Sequence, residues 1–132
     1  MINIDRLYEK IQVETKPLGL DGFCYKLVEL VLKSAINHPA YTYAALTEAL
    51  DGCAIEDLQR ALNYLKASPI NLFAQQYQYV DTDGVPHDIS REDLQAAMLD
   101  NALSHPEHGY LDPDFKDRVY ILYVADKTVI QL

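Results

Sequence analysis

Residues 42–66 read TYAALTEALDGCAIEDLQRALNYLK, and their punctuation decides what the rest of the chain can build. Thr42 offers a side-chain oxygen just ahead of Ala44–Leu50, where Leu46 and Leu50 share one helical face, so Thr42 is an expected N-cap. Asp51-Gly52 is a turn. Ile55, Leu58, Ala61, Leu62 and Leu65 then recur at three- and four-residue steps, which predicts a second amphipathic helix over Ala54–Lys66. Ser68-Pro69 stops it.

Upstream, Phe23, Leu27, Leu30, Val31 and Ile36 predict a helix from Gly22 to Asn37. Its apolar residues lie on several faces, so it belongs at the centre of the core. His38-Pro39 ends it. A shorter helix over Asp5–Gln12 precedes it, carried by Ile4, Leu7 and Ile11 and broken at Lys16-Pro17-Leu18-Gly19. Downstream, Phe73, Tyr77 and Tyr79 alternate with Gln76 and Gln78, so Ile70–Val80 reads as a strand. Asp81-Thr82-Asp83-Gly84 is a turn. Arg118–Ala125 alternates Val119, Ile121 and Tyr123 against Tyr120, Leu122 and Val124; apolar on both faces, it is expected inside a sheet. A last short strand is expected over Thr128–Leu132.

The segment between those two long strands holds the charge. Asp81–Asp117 carries ten acids against two bases, Arg91 and Lys116, which is −8 of the chain's formal −9. Ser90-Arg91-Glu92-Asp93 reads as a capping box with Asp in place of the usual Glu or Gln. Leu94, Ala97, Met98 and Ala102 supply an apolar stripe, which predicts a helix over Arg91–Leu103. His105-Pro106-Glu107-His108-Gly109 is a loop.

The 132 residues, 49% of them hydrophobic, suffice for one domain over 1–132 with a real core. The fold class is α+β, mainly helical. No apolar run approaches the ~20 residues of a membrane helix. Met1–Arg6 lacks the basic start and apolar stretch of a secretory signal, so a cytoplasmic location is expected. Cys24 and Cys53 are expected to be reduced and buried; there is no Cys-x-x-Cys pair. Ten tyrosines and no tryptophan suit half-buried strand faces and a core rim.

The order helix, short extended piece, helix, tight turn, helix, strand, insertion, strand resembles a winged helix-turn-helix domain over Gly22–Ala125. The Leu46/Leu50 helix, the Asp51-Gly52 turn, and the Leu58/Leu62/Leu65 helix leading into the Phe73–Val80 strand carry that resemblance. It implies a three-helix core with a small antiparallel sheet, built from 22–80 and 118–125. It also implies that Ala54–Lys66 is the helix such folds place in the DNA major groove. Gln59, Arg60, Asn63 and Lys66 would then be the nucleic-acid contacts. The chain departs from that pattern at the wing, where 81–117 stands as an acidic insertion with its own helix.

Charge argues against the DNA reading. His38–Val80 holds two bases, Arg60 and Lys66, against four acids. A specific binder commonly makes about six to ten phosphate contacts. Glu56 and Asp57 stand where the helix end would meet phosphate.

Metal and enzyme chemistry find little support. His105 and His108, with Glu107, Asp112 and Asp114 nearby, enclose Pro106, so no helix fixes the pair; a solvated loop is expected. Asp81-Thr82-Asp83-Gly84 echoes a calcium loop but has Tyr79 and Ser90 where Asp and Glu are required. His38 and His87 stand beside prolines without a spaced partner. No nucleophile elbow, phosphate loop or zinc-protease motif occurs. No catalytic residue, metal or cofactor is therefore expected.

The favoured expectation is a non-catalytic protein–protein interaction module whose acidic face binds a basic partner; an inhibitor or immunity-type protein, or a regulatory one, is a concrete form of it. The expected contacts are Asp83, Asp88, Glu92, Asp93, Asp100, Asp112 and Asp114, with Tyr110 as an anchor. The alternative is a winged-helix transcriptional regulator. Leu122, Val124, Val129 and Ile130 leave open an oligomer formed by strand-edge pairing.

Overall fold

The computed structural model describes residues 1–132. The chain is α+β, with five helices and a four-stranded antiparallel sheet. It packs as two compact units, Met1–Ala74 with Tyr123–Leu132, and Gln75–Leu122. No helix is long and apolar enough to cross a membrane.

In the first unit, α1 (Ile4–Thr15), α2 (Asp21–Lys33), α3 (Tyr43–Ala49) and α4 (Ile55–Lys66) follow β1 (Ile2–Asn3), with β2 (Ala40–Tyr41) between α2 and α3. The Thr42 hydroxyl accepts from Ala45 N–H at 3.2 Å, the cap its position predicts. α2 contacts α1, α3 and α4. Leu27, Val28 and Val31 of α2 are buried, as are Leu7 of α1, Leu46 of α3 and Leu58 of α4. Each such side chain contributes about 1.5–3 kcal/mol on burial.

α2 stops short of Asn37. Ser34 turns to extended backbone, and its carbonyl accepts the Lys127 ammonium at 2.7 Å, so Ile36 falls outside the helix and is 60% exposed. α1 runs further than Gln12, to Thr15, whose buried hydroxyl donates to Ile11 O. Cys24 is buried as expected, but Cys53 is only half-buried.

The sheet order is β2-β7-β3-β4, with β3 at Phe73–Val80, β4 at Pro86–Ile89 and β7 at Val119–Ala125. β7 therefore lies inside the sheet. Val124 and Tyr123 pair with Ala40 and Tyr41 of β2. The expected last strand begins two residues late, because Thr128 and Val129 belong to a 3-10 turn in which the Asp126 carboxylate caps Thr128 N–H. Only β8 (Ile130–Gln131) is extended, and it pairs in parallel with β1.

The second unit holds the acidic segment, and its core is Tyr79, Ile89, Ala97, Leu103 and Phe115. β4 went unforeseen: the Asp81–Gly84 turn reverses β3 into a hairpin in which Tyr77 faces Ile89 and Tyr79 faces His87. Gly84 sits at φ 80, a conformation the tight turn requires and that other residues rarely adopt. α5 (Arg91–Asp100) begins at Ser90, whose Oγ accepts from Asp93 N–H at 3.0 Å. It ends earlier than Leu103 because Asn101 adopts the left-handed conformation, φ 56. That frees Leu103 to enter the core from β5 (Leu103–Ser104), which pairs with β6 (Leu111–Asp112). Met98, expected on the apolar stripe, is half exposed.

Candidate functional site

Asp81, the first residue of the β3–β4 turn, gathers four donors. Its Oδ1 accepts from Asp83 N–H and Val85 N–H, both at 2.9 Å. Its Oδ2 accepts from His105 Nε2 and His87 Nε2, both also at 2.9 Å. The two imidazoles, His105 first and His87 second, and then Val85 N–H hold this carboxyl far below the usual carboxylate range. β4 aims His87 inward because it alternates in step with Ile89 on the core face.

His105 is held from its other side as well. Its Nδ1 accepts backbone N–H groups of Glu107 at 3.1 Å and His108 at 3.0 Å. A nitrogen that accepts carries no proton, so the neutral ring bears its proton on Nε2 and donates it to Asp81. The following loop wraps this ring: His108 stacks on it and Tyr110 tilts against it, each with ring centroids 4.7 Å away. Gly109 closes the loop at φ 73. His105 is thus 3% exposed, not part of a solvated loop. His87 likewise has the partner that its proline-flanked position did not suggest.

A second polar group lies beside the first. Tyr79 OH donates to Asp112 Oδ2 at 2.6 Å, and Arg118 Nε lies 3.1 Å from the same oxygen as an ion pair rather than an aligned hydrogen bond. Burial raises the Tyr79 phenol, and the Asp112 carboxylate raises it further. Asp112 is 4% exposed. This corrects the expectation of a partner contact: Asp112 turns inward because the buried Tyr79 hydroxyl requires an acceptor.

The ligand atoms of Asp81, His87 and His105 lie within 4.8 Å of one another, close enough to consider a metal ion. The donor set does not fit one. A metal-bound imidazole donates its remaining N–H to an acceptor. His105 instead presents its remaining nitrogen to two N–H groups. Metal at its Nε2 would demand an imidazolate, or the loss of both loop bonds.

Beside the cluster opens a cleft of about 530 Å³. α5 lines one side with Asp93, Ala96, Ala97 and Asp100, a spacing that puts all four on one stripe of the helix. Asp88 and Ile89 come from β4, and Leu103, His105, Pro106 and Leu111 from the segment after α5. Small alanines between carboxylates leave a groove with an apolar floor and an anionic lip. Asp83, Asp88, Glu92, Asp93, Asp100 and Asp114 are exposed, and Tyr110 is 40% exposed. The structure thus brings Asp88, Asp93 and Asp100 together in the cleft, while Asp83, Glu92, Tyr110 and Asp114 lie outside its lining.

In the first unit, Gln59, Arg60, Asn63 and Lys66 are all exposed on α4. Gln59 Nε2 donates to Tyr43 OH at 3.3 Å, and that oxygen lies 2.6 Å from Tyr123 OH. Glu56 is exposed at the start of the same helix, where it complements the helix dipole and repels phosphate. No family model, curated protein or solved structure matches this chain.

Proposed function

We propose that this protein is a non-catalytic, acidic interaction module that binds a basic protein partner through the α5 cleft. The observation that carries the reading is the stripe Asp93-Ala96-Ala97-Asp100, which lines one cleft together with Asp88. A lysine or arginine side chain matches it: the aliphatic stem lies over the alanines while the charged head meets the carboxylates. The unit Gln75–Leu122 holds ten acids and three bases, a net −7 of the chain's −9, so the cleft lies in the most negative part of the molecule. Such a field steers a basic partner and speeds association. An inhibitor or immunity-type protein fits this chemistry, and so does a regulatory subunit.

The winged-helix-like reading of the core belongs to the same proposal. The helices α2, α3 and α4 with sheet order β2-β7-β3 support it, and β4 to β6 with α5 stand in place of the wing. On this reading the DNA-binding alternative is the weaker one, since the position usually turned toward phosphate is anionic.

The test is binding of an arginine- and lysine-rich peptide, followed by fluorescence anisotropy across a salt series. The double variant Asp93→Asn/Asp100→Asn is compared with Asp114→Asn/Asp117→Asn, which removes equal charge outside the cleft. The cleft variant should weaken binding roughly tenfold, and the control only about two- to threefold. Equal losses would remove the cleft from the proposal. Tight binding to a DNA fragment with no peptide binding would replace the proposal by the regulator.

A further inference from the structure

His87 and His105 donate to the same carboxylate oxygen, yet a second proton would meet different surroundings at each. At His105 it would have to enter Nδ1, where the N–H groups of Glu107 and His108 already point, 3.1 and 3.0 Å away. Both loop bonds would break. At His87 it would enter a nitrogen that lies 4.0 Å from Glu107 Oε1, just beyond hydrogen-bond reach. There it breaks nothing and gains an acceptor of opposite charge.

We infer that the His87–Asp81–His105 cluster is a one-proton switch: His87 takes the proton, His105 stays neutral, and Glu107 is drawn onto His87. A protonated His87 lies between two carboxylates, Asp81 and Glu107. It also opposes a second proton on His105, whose ring centroid is 4.6 Å away. The other titratable groups facing the pair are Tyr79, stacked at 6.2 Å on His87, and His108 and Tyr110 against His105. Asp112 and Arg118 sit one step further, at the Tyr79 hydroxyl.

Glu107 belongs to the loop that His105 organises, and His105 and Pro106 line the cleft. Drawing Glu107 inward therefore straps one wall of the cleft in mildly acidic solution and loosens it at higher pH. The strap stands on the cluster alone; only its effect on partner binding rests on the proposed function. Histidine is suited to this role because its charge changes between about pH 5 and 8.

The experiment is NMR of the full chain between about pH 7.5 and 5.5. Imidazole nitrogen shifts report which ring gains a proton, and hydrogen exchange, corrected for its intrinsic pH dependence, reports the loop. His105 should remain the Nε2–H tautomer throughout, and His87 should gain a second N–H. Protection of the Glu107 and His108 amides should rise roughly two- to fivefold toward the acid end, a modest factor because Glu107 is exposed. His87→Gln keeps a donor to Asp81 but cannot take the proton, so the rise should vanish. His105→Asn keeps an acceptor for the loop amides, so the rise should persist. Protonation of His105, or a loop response that survives in His87→Gln, would overturn the inference. So would protection that is flat or falls in acid. Zinc shifting both imidazoles at neutral pH would overturn it too, in favour of a metal site. Peptide affinity measured alongside separates the two ideas: a pH-dependent loop with no peptide binding leaves the switch standing and removes only the partner.

Discussion

Replacing Tyr79 with Phe isolates one bond of the acidic unit's interior. The ring is fully buried, and Phe preserves its packing against Ile89, Leu103 and Phe115. Only the hydroxyl is lost, with its 2.6 Å bond to Asp112. A hydrogen bond to a charged acceptor contributes about 1.5–3 kcal/mol. The lower part of that range applies, because Asp112 keeps Arg118 at 3.1 Å and accepts from Asp114 N–H at 2.9 Å. We therefore expect a loss of about 1.5–2 kcal/mol. In urea this moves the midpoint by roughly 1 M at an unchanged slope. Far-UV circular dichroism follows the transition, since the chain has no tryptophan. A double-mutant cycle with Asp112→Ala should give a coupling of about 1–2 kcal/mol. A loss below about 0.5 kcal/mol with no coupling would refute the structural role of Asp112 and return it to the candidate binding surface.

Acid should weaken the fold through Asp81. Its carboxyl titrates well below its ordinary value of 3.8 when folded, so its stabilisation is complete above that value and is lost as pH falls toward the folded one. Asp81→Asn should therefore be less stable than the parent at neutral pH, with the gap in urea midpoint narrowing below about pH 4; a constant gap contradicts the assignment. Ser90→Ala should cost about 1 kcal/mol by removing the α5 cap, measured by urea unfolding; a loss below about 0.3 kcal/mol contradicts the cap. Burial pushes the Cys24 thiol up to about 12, and Cys53 is half-buried. A maleimide should thus label one thiol per native chain and two after unfolding; two in the native state would contradict the packing of α2.

Local rules made the helices legible. Thr42 and Ser90 cap where their spacing says they must, and Leu58, Leu62 and Leu65 bury the face their period predicts. The cluster was not legible, because tertiary pairing made it. Asp81 counted as one more surface acid in a turn, yet the hairpin folds His87 back beside it. A period-two reading of His87 and Ile89 across the turn was the one available signal. His105 invited pairing with His108, its neighbour in sequence, whereas the chain spends His108 as a stacked ring and a backbone donor. Asp112 was misplaced for a similar reason: composition records its charge but not the buried phenol that claims it.

The acidic unit is entered at Gln75, inside β3, and left at Leu122, inside β7. Neither junction is a loop. The unit's two ends are therefore strand ends, each with a register to match. Transplanted into another scaffold, the unit needs a host that supplies two neighbouring antiparallel strands, cut at matching register, since a one-residue slip would exchange the faces of both.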